Sequence, residues 1–261
     1  MKYVQNGVYF SEKDFYLTII YAIADEATDD ISRVETHTRW PSFSSIGLEF
    51  RAIRDVHGFP FLDIKSTLEI IELFARTLST GENRLAEAFF YPKWNGRALG
   101  VGRLFHRPDA IAEPFEISSP SNVSNTVSLS VGINSFDLSV RLHYNPNARQ
   151  NPRKVVFWFI IEGLLEMARL PSHAPCRNLR RHAMGLSLGI KPERSTRGLF
   201  INGIVIHVYK AIAIAMAQAS EHGWYGDVGF YILRDGVHVA TGSMVSGNTE
   251  GAVGSANSEA S

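Results

Sequence analysis

Two segments of this chain share one pattern, and that pattern constrains the fold more than any other feature. Ala86–Phe105 reads AEAFFYPKWNGRALGVGRLF, and Gly226–Val245 reads GDVGFYILRDGVHVATGSMV. Each carries Phe-Tyr and then a turn dipeptide, Asn95-Gly96 or Asp235-Gly236. Asn-Gly and Asp-Gly supply the positive φ angles of a tight type I′ turn, so each segment predicts a β-hairpin. Aligned on their turns, the two also match Gly102 with Gly242 and Glu87 with Asp227.

The likeness extends upstream. An apolar helix is predicted before each hairpin, over Ile64–Ser79 and about Ile206–Ser220. Before each helix lies a short strand opening with Gly-Leu, at Gly47–Phe50 and Gly185–Leu188, which aligns Ser187 with Glu49. Earlier still, Asp14–Thr28 matches Val155–Arg169, both helical and apolar on most sides. Four matches in one order predict an α+β fold built as a tandem pseudo-symmetric repeat. Each copy is helix–strand–helix–β-hairpin, with a mostly antiparallel sheet and helices on one face. Two such copies can join edge to edge in one sheet or pack helix layer to helix layer. Helices this apolar are buried between layers or in an oligomer interface.

The expected organisation is a first repeat over 1–109, connecting strands over 110–150, a second repeat over 151–245 and a disordered Gly/Ser tail over 246–261. Period-two alternation at 127–131 and 136–142 supports the connecting strands. Gly198–Ala219 reads as a buried strand feeding a buried helix, because its first half is β-branched. It is too polar for a membrane span. The tail has too little apolar area to offset the entropy of ordering it.

Of the 261 residues, 26 are Lys or Arg and 26 are Asp or Glu, a balance that argues against a uniformly basic nucleic-acid binder. A single cysteine excludes an internal disulfide scaffold and a Cys-rich zinc site. With no apolar leader at its start, the chain is expected to be cytoplasmic. Phosphate-loop, dinucleotide and zinc motifs are missing, so neither cofactor nor metal is predicted.

Three residues are candidate catalysts. Ser187 lies in Gly185-Leu186-Ser187-Leu188-Gly189, which fits the G-x-S-x-G nucleophile elbow of serine hydrolases. Asp227 or Asp235 and then His238 follow in the hydrolase order. Yet the preceding Arg177–His182 is basic and does not read as a buried strand, so a serine on the polar face of a strand is the stronger reading. Cys176 sits among His173, Arg177, Arg180, Arg181 and His182, and nearby cations lower a thiol pKa. His207, in an apolar run, reads as a hydrogen-bonded core histidine.

Charge patterning points to binding. Between His173 and Arg197 there are six Lys or Arg and one acid. Arg177, Arg180, Arg181 and His182 form a predicted basic loop suited to an anionic ligand. The corresponding loop of the first copy is acidic, with Asp25, Glu26, Asp29 and Asp30. The two loops are expected to meet, within one chain or between chains. The leading expectation is a non-catalytic protein that self-associates or binds a protein partner. An enzyme or anionic small-molecule binder with a site near the basic loop is the alternative, and a Ser187 hydrolase a further one. Nucleic acid is not expected, because no aromatic side chains are interleaved with the basic cluster.

Overall fold

The computed structural model of the chain describes residues 2–28, 34–35, 37–43, 46–53, 62–80, 85–106, 116–118, 126–133, 136–144, 147–218 and 224–247. The first copy comprises β1 (Lys2–Tyr9), α1 (Glu12–Ala27), β2 (Val34–Glu35), β3 (His37–Phe43), β4 (Ile46–Ala52), β5 (Leu62–Asp63), α2 (Ile64–Thr80), β6 (Ala86–Tyr91), β7 (Lys93–Trp94), β8 (Arg97–Ala98) and β9 (Gly100–His106). There follow β10 (Glu116–Ser118), β11 (Thr126–Ile133), β12 (Phe136–Tyr144), α3 (Arg153–Met167), β13 (Leu179–Ala183), β14 (Leu186–Pro192), α4 (Asn202–Gln218), β15 (Val228–Arg234) and β16 (Val237–Ser246). A short 3-10 turn, Arg194–Leu199, joins β14 to α4.

The duplication is written into the sheets. The first sheet has the order β1-β6-β9-β4-β3, and the second runs β10-β11-β12-β15-β16-β14-β13. Remove β10 and β11 and the orders are the same, with β12 as the counterpart of β1. Neighbouring strands in both are antiparallel. Local chemistry repeats as well. Asn95 and Gly96 have φ of 47° and 79°, and Asp235 and Gly236 have 51° and 76°, so both hairpins close through type I′ geometry. In each hairpin an inward phenylalanine lies over a glycine. A Cβ at Gly102 would stand 1.9 Å from the Phe90 ring, and one at Gly242 would stand 2.3 Å from Phe230. The carboxylates of Glu87 and Asp227 both accept from a backbone N–H at the end of the return strand, His106 N and Ser246 N, each at 2.7 Å.

The two copies join through their helices, not edge to edge. α1 packs on α2, α3 and α4, and α3 packs on α4, while α1 also touches β3 and β4, and α4 touches β11 and β12. Each sheet therefore covers one side of a shared helical layer. This explains why α1 is buried from Phe15 to Ala24 and α3 from Val156 to Ile161. The Tyr16 ring of the first copy stacks on Phe157 of the second at 5.3 Å. α3 and α4 approach closely at Gly163, where an added Cβ would lie 2.4 Å from the Tyr209 ring.

Helix starts follow local chemistry. Ser11 caps α1, accepting from Asp14 N at 3.0 Å and donating to its carboxylate at 2.7 Å. Asp63 Oδ1 accepts from Ser66 N at the start of α2. α4 begins at Asn202, four residues before the predicted start, so the expected strand within Gly198–Ala219 is helical instead. Its first donors are held by the preceding loop: Asn202 N by Ala174 O and Gly203 N by Ser172 O. Complete burial of Ile204, Val205 and Ile206 outweighs their weak helix propensity. Of the tail expected over 246–261, Ser246 is instead the last residue of β16 and donates to Asp227, while 248–261 lie outside the described residues.

His207 of α4 differs from its predicted state. Its buried Nδ1 has no hydrogen-bond partner among the described residues. Burial, and then the nearby Lys210 charge, lower its pKa from 6.5 to about 4. The folded protein therefore holds His207 neutral while the unfolded chain protonates it. The resulting stability is complete above pH 6.5 and is lost as pH falls toward 4. The loss is about 3 kcal/mol at pH 4. Urea unfolding at pH 7 and pH 4 measures it, and His207→Leu is expected to remove most of that difference.

Candidate functional site

The candidate catalysts are not assembled. Met184 and Gly185, with φ of 55° and 74°, form the turn that joins β13 to β14. The G-x-S-x-G string thus opens in a hairpin turn and runs along one strand, with Ser187 extended within β14. A nucleophile elbow needs a strand-to-helix turn, so the hydrolase reading is corrected. Ser187 also aligns differently from the sequence match. Counted from Gly102 and Gly242, Gly47 pairs with Phe105 and Ser187 with Val245, so the counterpart of Ser187 is Gly47, not Glu49.

Ser187 Oγ lies 2.7 Å from His182 Nδ1 and donates to Gly247 O at 3.3 Å. Asp227 is engaged by Ser246 N and Oγ. His238 contacts Ala240 O at 3.0 Å and stands 3.8 Å from Glu193. It lies seven residues along β16 from Val245, about 23 Å from the Ser187 pairing. Cys176 is buried and donates to Arg177 O at 3.2 Å. Burial pushes its thiol up to about 11, so the expected activation by cations is corrected: desolvation dominates.

The predicted basic loop is largely an edge strand, β13, and its alternation sorts the cations. Arg181 points inward and is 7% exposed. Its guanidinium donates to Glu162 and Glu166 at 3.0 Å and to Phe159 O at 3.1 Å. Glu162 also accepts from Arg76 of α2, which pairs with Glu72. Arg181 thus ties β13 to α3 and is not available to a ligand. Arg177, Arg180 and His182 are exposed. Of the predicted acidic loop, Asp25 and Glu26 fall in the last turn of α1, with Asp25 exposed and Glu26 only 3% exposed. Asp29 and Asp30, and with them the predicted meeting of loops, lie outside the described residues.

The outer face of the second sheet carries a feature that the linear sequence conceals. Strand pairing sets two rows across it. One row is Arg180, Gly189, Ser243, Gly229 and His143; the other is Lys191, Thr241, Tyr231 and Arg141. At about 4.8 Å per strand the first row spans about 19 Å. Its middle is a shallow trough. A Cβ on Gly189 would meet nothing within 4 Å, and one on Gly229 only a carbonyl at 4.0 Å. Arg141, Arg180 and Lys191 are exposed and make no ion pair among the described residues. Tyr231 is 47% exposed, with the His143 and His238 rings 5.4 and 5.7 Å away.

The first copy fills the same trough. Where the second has Gly189, Ser243 and Gly229, the first has Glu49, Arg103 and Phe89. Glu49 and Arg103 form an ion pair at 2.7 Å, and the guanidinium lies over Phe105 at 4.3 Å. The neighbouring row is kept in kind, with Arg51, Val101 and Tyr91 for Lys191, Thr241 and Tyr231. Overall charge diverges in the same sense. Residues 136–247 hold thirteen Lys or Arg against seven Asp or Glu, net +6, whereas residues 1–109 hold thirteen against fifteen, net −2.

No group of three or more metal-ligating side chains occurs among the described residues, and no described helix is long and apolar enough to cross a membrane. Neither a family model nor a curated relative matches the chain. A similar solved chain is the tandem DUF26 ectodomain of a cysteine-rich receptor-like protein from Arabidopsis thaliana. It is 7% identical with a TM-score of 0.27, covering 95% of this chain and 97% of that one. A likeness of that size carries no argument about fold or function.

Proposed function

We propose that this protein is a non-catalytic binding module in which one copy of a duplicated scaffold presents a basic face to an anionic partner. One observation carries the reading: the Glu49–Arg103–Phe89 filling of the first sheet is replaced in the second by Gly189, Ser243 and Gly229, beside three exposed cations that make no ion pair among the described residues. The face is open and shallow, which suits a macromolecule better than a small molecule needing enclosure.

The test is retention of the purified protein on immobilised heparin, a polyanion. Retention at 50 mM salt that is lost by 300 mM is expected, because exposed charges are screened. The Arg180→Glu/Lys191→Glu double variant is expected to flow through with its melting temperature unchanged. Equal retention of the variant and the parent would refute the reading.

A further inference from the structure

Resting on that reading, we propose that the anionic partner is a single-stranded nucleic acid, laid across the Gly189–Ser243–Gly229 trough with a base stacked on Tyr231. Such ligands need two things together: cations along a phosphate track and an exposed ring for a base. The sequence around Arg177–Arg197 has the cations without rings, which set nucleic acid aside. The fold supplies the rings from elsewhere. Tyr231 on β15 stands between Arg141 on β12 and Thr241 on β16, with Lys191 one strand further on.

His143 and His238 flank Tyr231 in edge contacts that hold the tyrosine in place. The glycines matter because a planar base or a phosphate can approach the backbone where no side chain stands. Ser243, in mid-trough, is exposed and offers a hydroxyl to a phosphate oxygen. An acidic peptide would satisfy Arg141, Arg180 and Lys191 but would make no use of the exposed Tyr231 ring. A duplex offers no bare base face to stack on it.

The experiment is fluorescence anisotropy with a labelled ten-residue oligothymidylate, with polyglutamate as the competing anion class, at 50 and 200 mM salt. The parent protein is expected to bind the oligonucleotide and to lose about twentyfold in affinity between the two salts, as about three phosphate contacts require. Tyr231→Ala is expected to lose about tenfold and Tyr231→Phe to keep most of the affinity, since the ring supplies the stacking. Gly189→Glu, which restores the carboxylate of the first copy in open space, is expected to abolish binding. Tyr91→Ala, at the corresponding place in the first sheet, is expected to change nothing. Binding of polyglutamate with no binding of the oligonucleotide would overturn this inference and leave the anionic-partner reading standing. So would oligonucleotide binding indifferent to Tyr231→Ala. Failure to bind either anion would overturn both.

Discussion

Replacing Arg181 with alanine is expected to cost about 3 kcal/mol, near the low end for removing one partner of a buried ion pair. The side chain is 7% exposed and serves three acceptors: Glu162, Glu166 and Phe159 O. Its guanidinium also lies over the Phe159 ring at 4.5 Å. Truncation leaves the carbonyl without this donor and two carboxylates facing each other across one helical turn. The cost stays near the low end because Glu166 is well exposed and Glu162 keeps Arg76. Urea unfolding is expected to show a midpoint lowered by about 1 M, given an m-value of about 3 kcal/mol/M for a chain of this size. Arg181→Lys is expected to recover little, because one ammonium cannot reproduce the fork that reaches both carboxylates. Arg76→Ala, on the exposed side of the same network, is expected to cost about 1 kcal/mol or less. A midpoint unchanged by Arg181→Ala would mean that the network contributes nothing to joining β13 and α3.

Gly163→Val is expected to be at least as damaging, about 3 kcal/mol or more. The Tyr209 ring occupies the space a side chain needs, with Cζ at 2.4 Å and the hydroxyl at 2.6 Å from an added Cβ. Tyr209 is itself buried, so its ring can yield only by displacing packed neighbours. Either α3 and α4 separate or the ring leaves its rotamer, and overpacking of this kind commonly costs 1–3 kcal/mol, sometimes more. Because α3 also packs on α1, the strain reaches the seam between the copies. Coupling to Tyr209 is the specific signature. In a Tyr209→Leu background, Gly163→Val is expected to cost less than half as much, a non-additivity that thermal unfolding of the four proteins measures. Full additivity would contradict the close approach.

Much of the fold was legible because it rests on local chemistry. The Asn95-Gly96 and Asp235-Gly236 turns need only two residues each to declare a hairpin. The all-round apolar character of Phe15–Ala24 and Val156–Ile161 requires burial on every side, which a helical layer between two sheets provides. The failures are equally physical. The Gly-Leu pairs at 47 and 185 coincide by composition, but Gly185 is a turn glycine and Gly47 lies inside β4, so the two strands slip by two residues in any sequence match. β13 escapes notice because its one inward polar residue, Arg181, is made tolerable by Glu162 and Glu166 on α3, partners that no local pattern reveals. The same strand sorts the predicted basic cluster: alternation sends Arg180 and His182 outward and Arg181 inward. The basic face was hidden for a related reason. Arg141 and Lys191 are fifty residues apart in sequence, and the register of β12, β15, β16 and β14 sets them in one row.

The central claim is that the two copies share one scaffold and differ in what their outer faces carry. Its most direct test transplants the filling of the first sheet into the second, as the triple variant Gly189→Glu/Ser243→Arg/Gly229→Phe, with retention on immobilised heparin as the readout. Both glycines have open space above them, and the same three side chains already sit together on the same strand lattice in the first copy. The variant is predicted to keep the parent's melting temperature within a few degrees and to lose salt-dependent retention. A folded triple variant that still elutes with the parent would contradict the account.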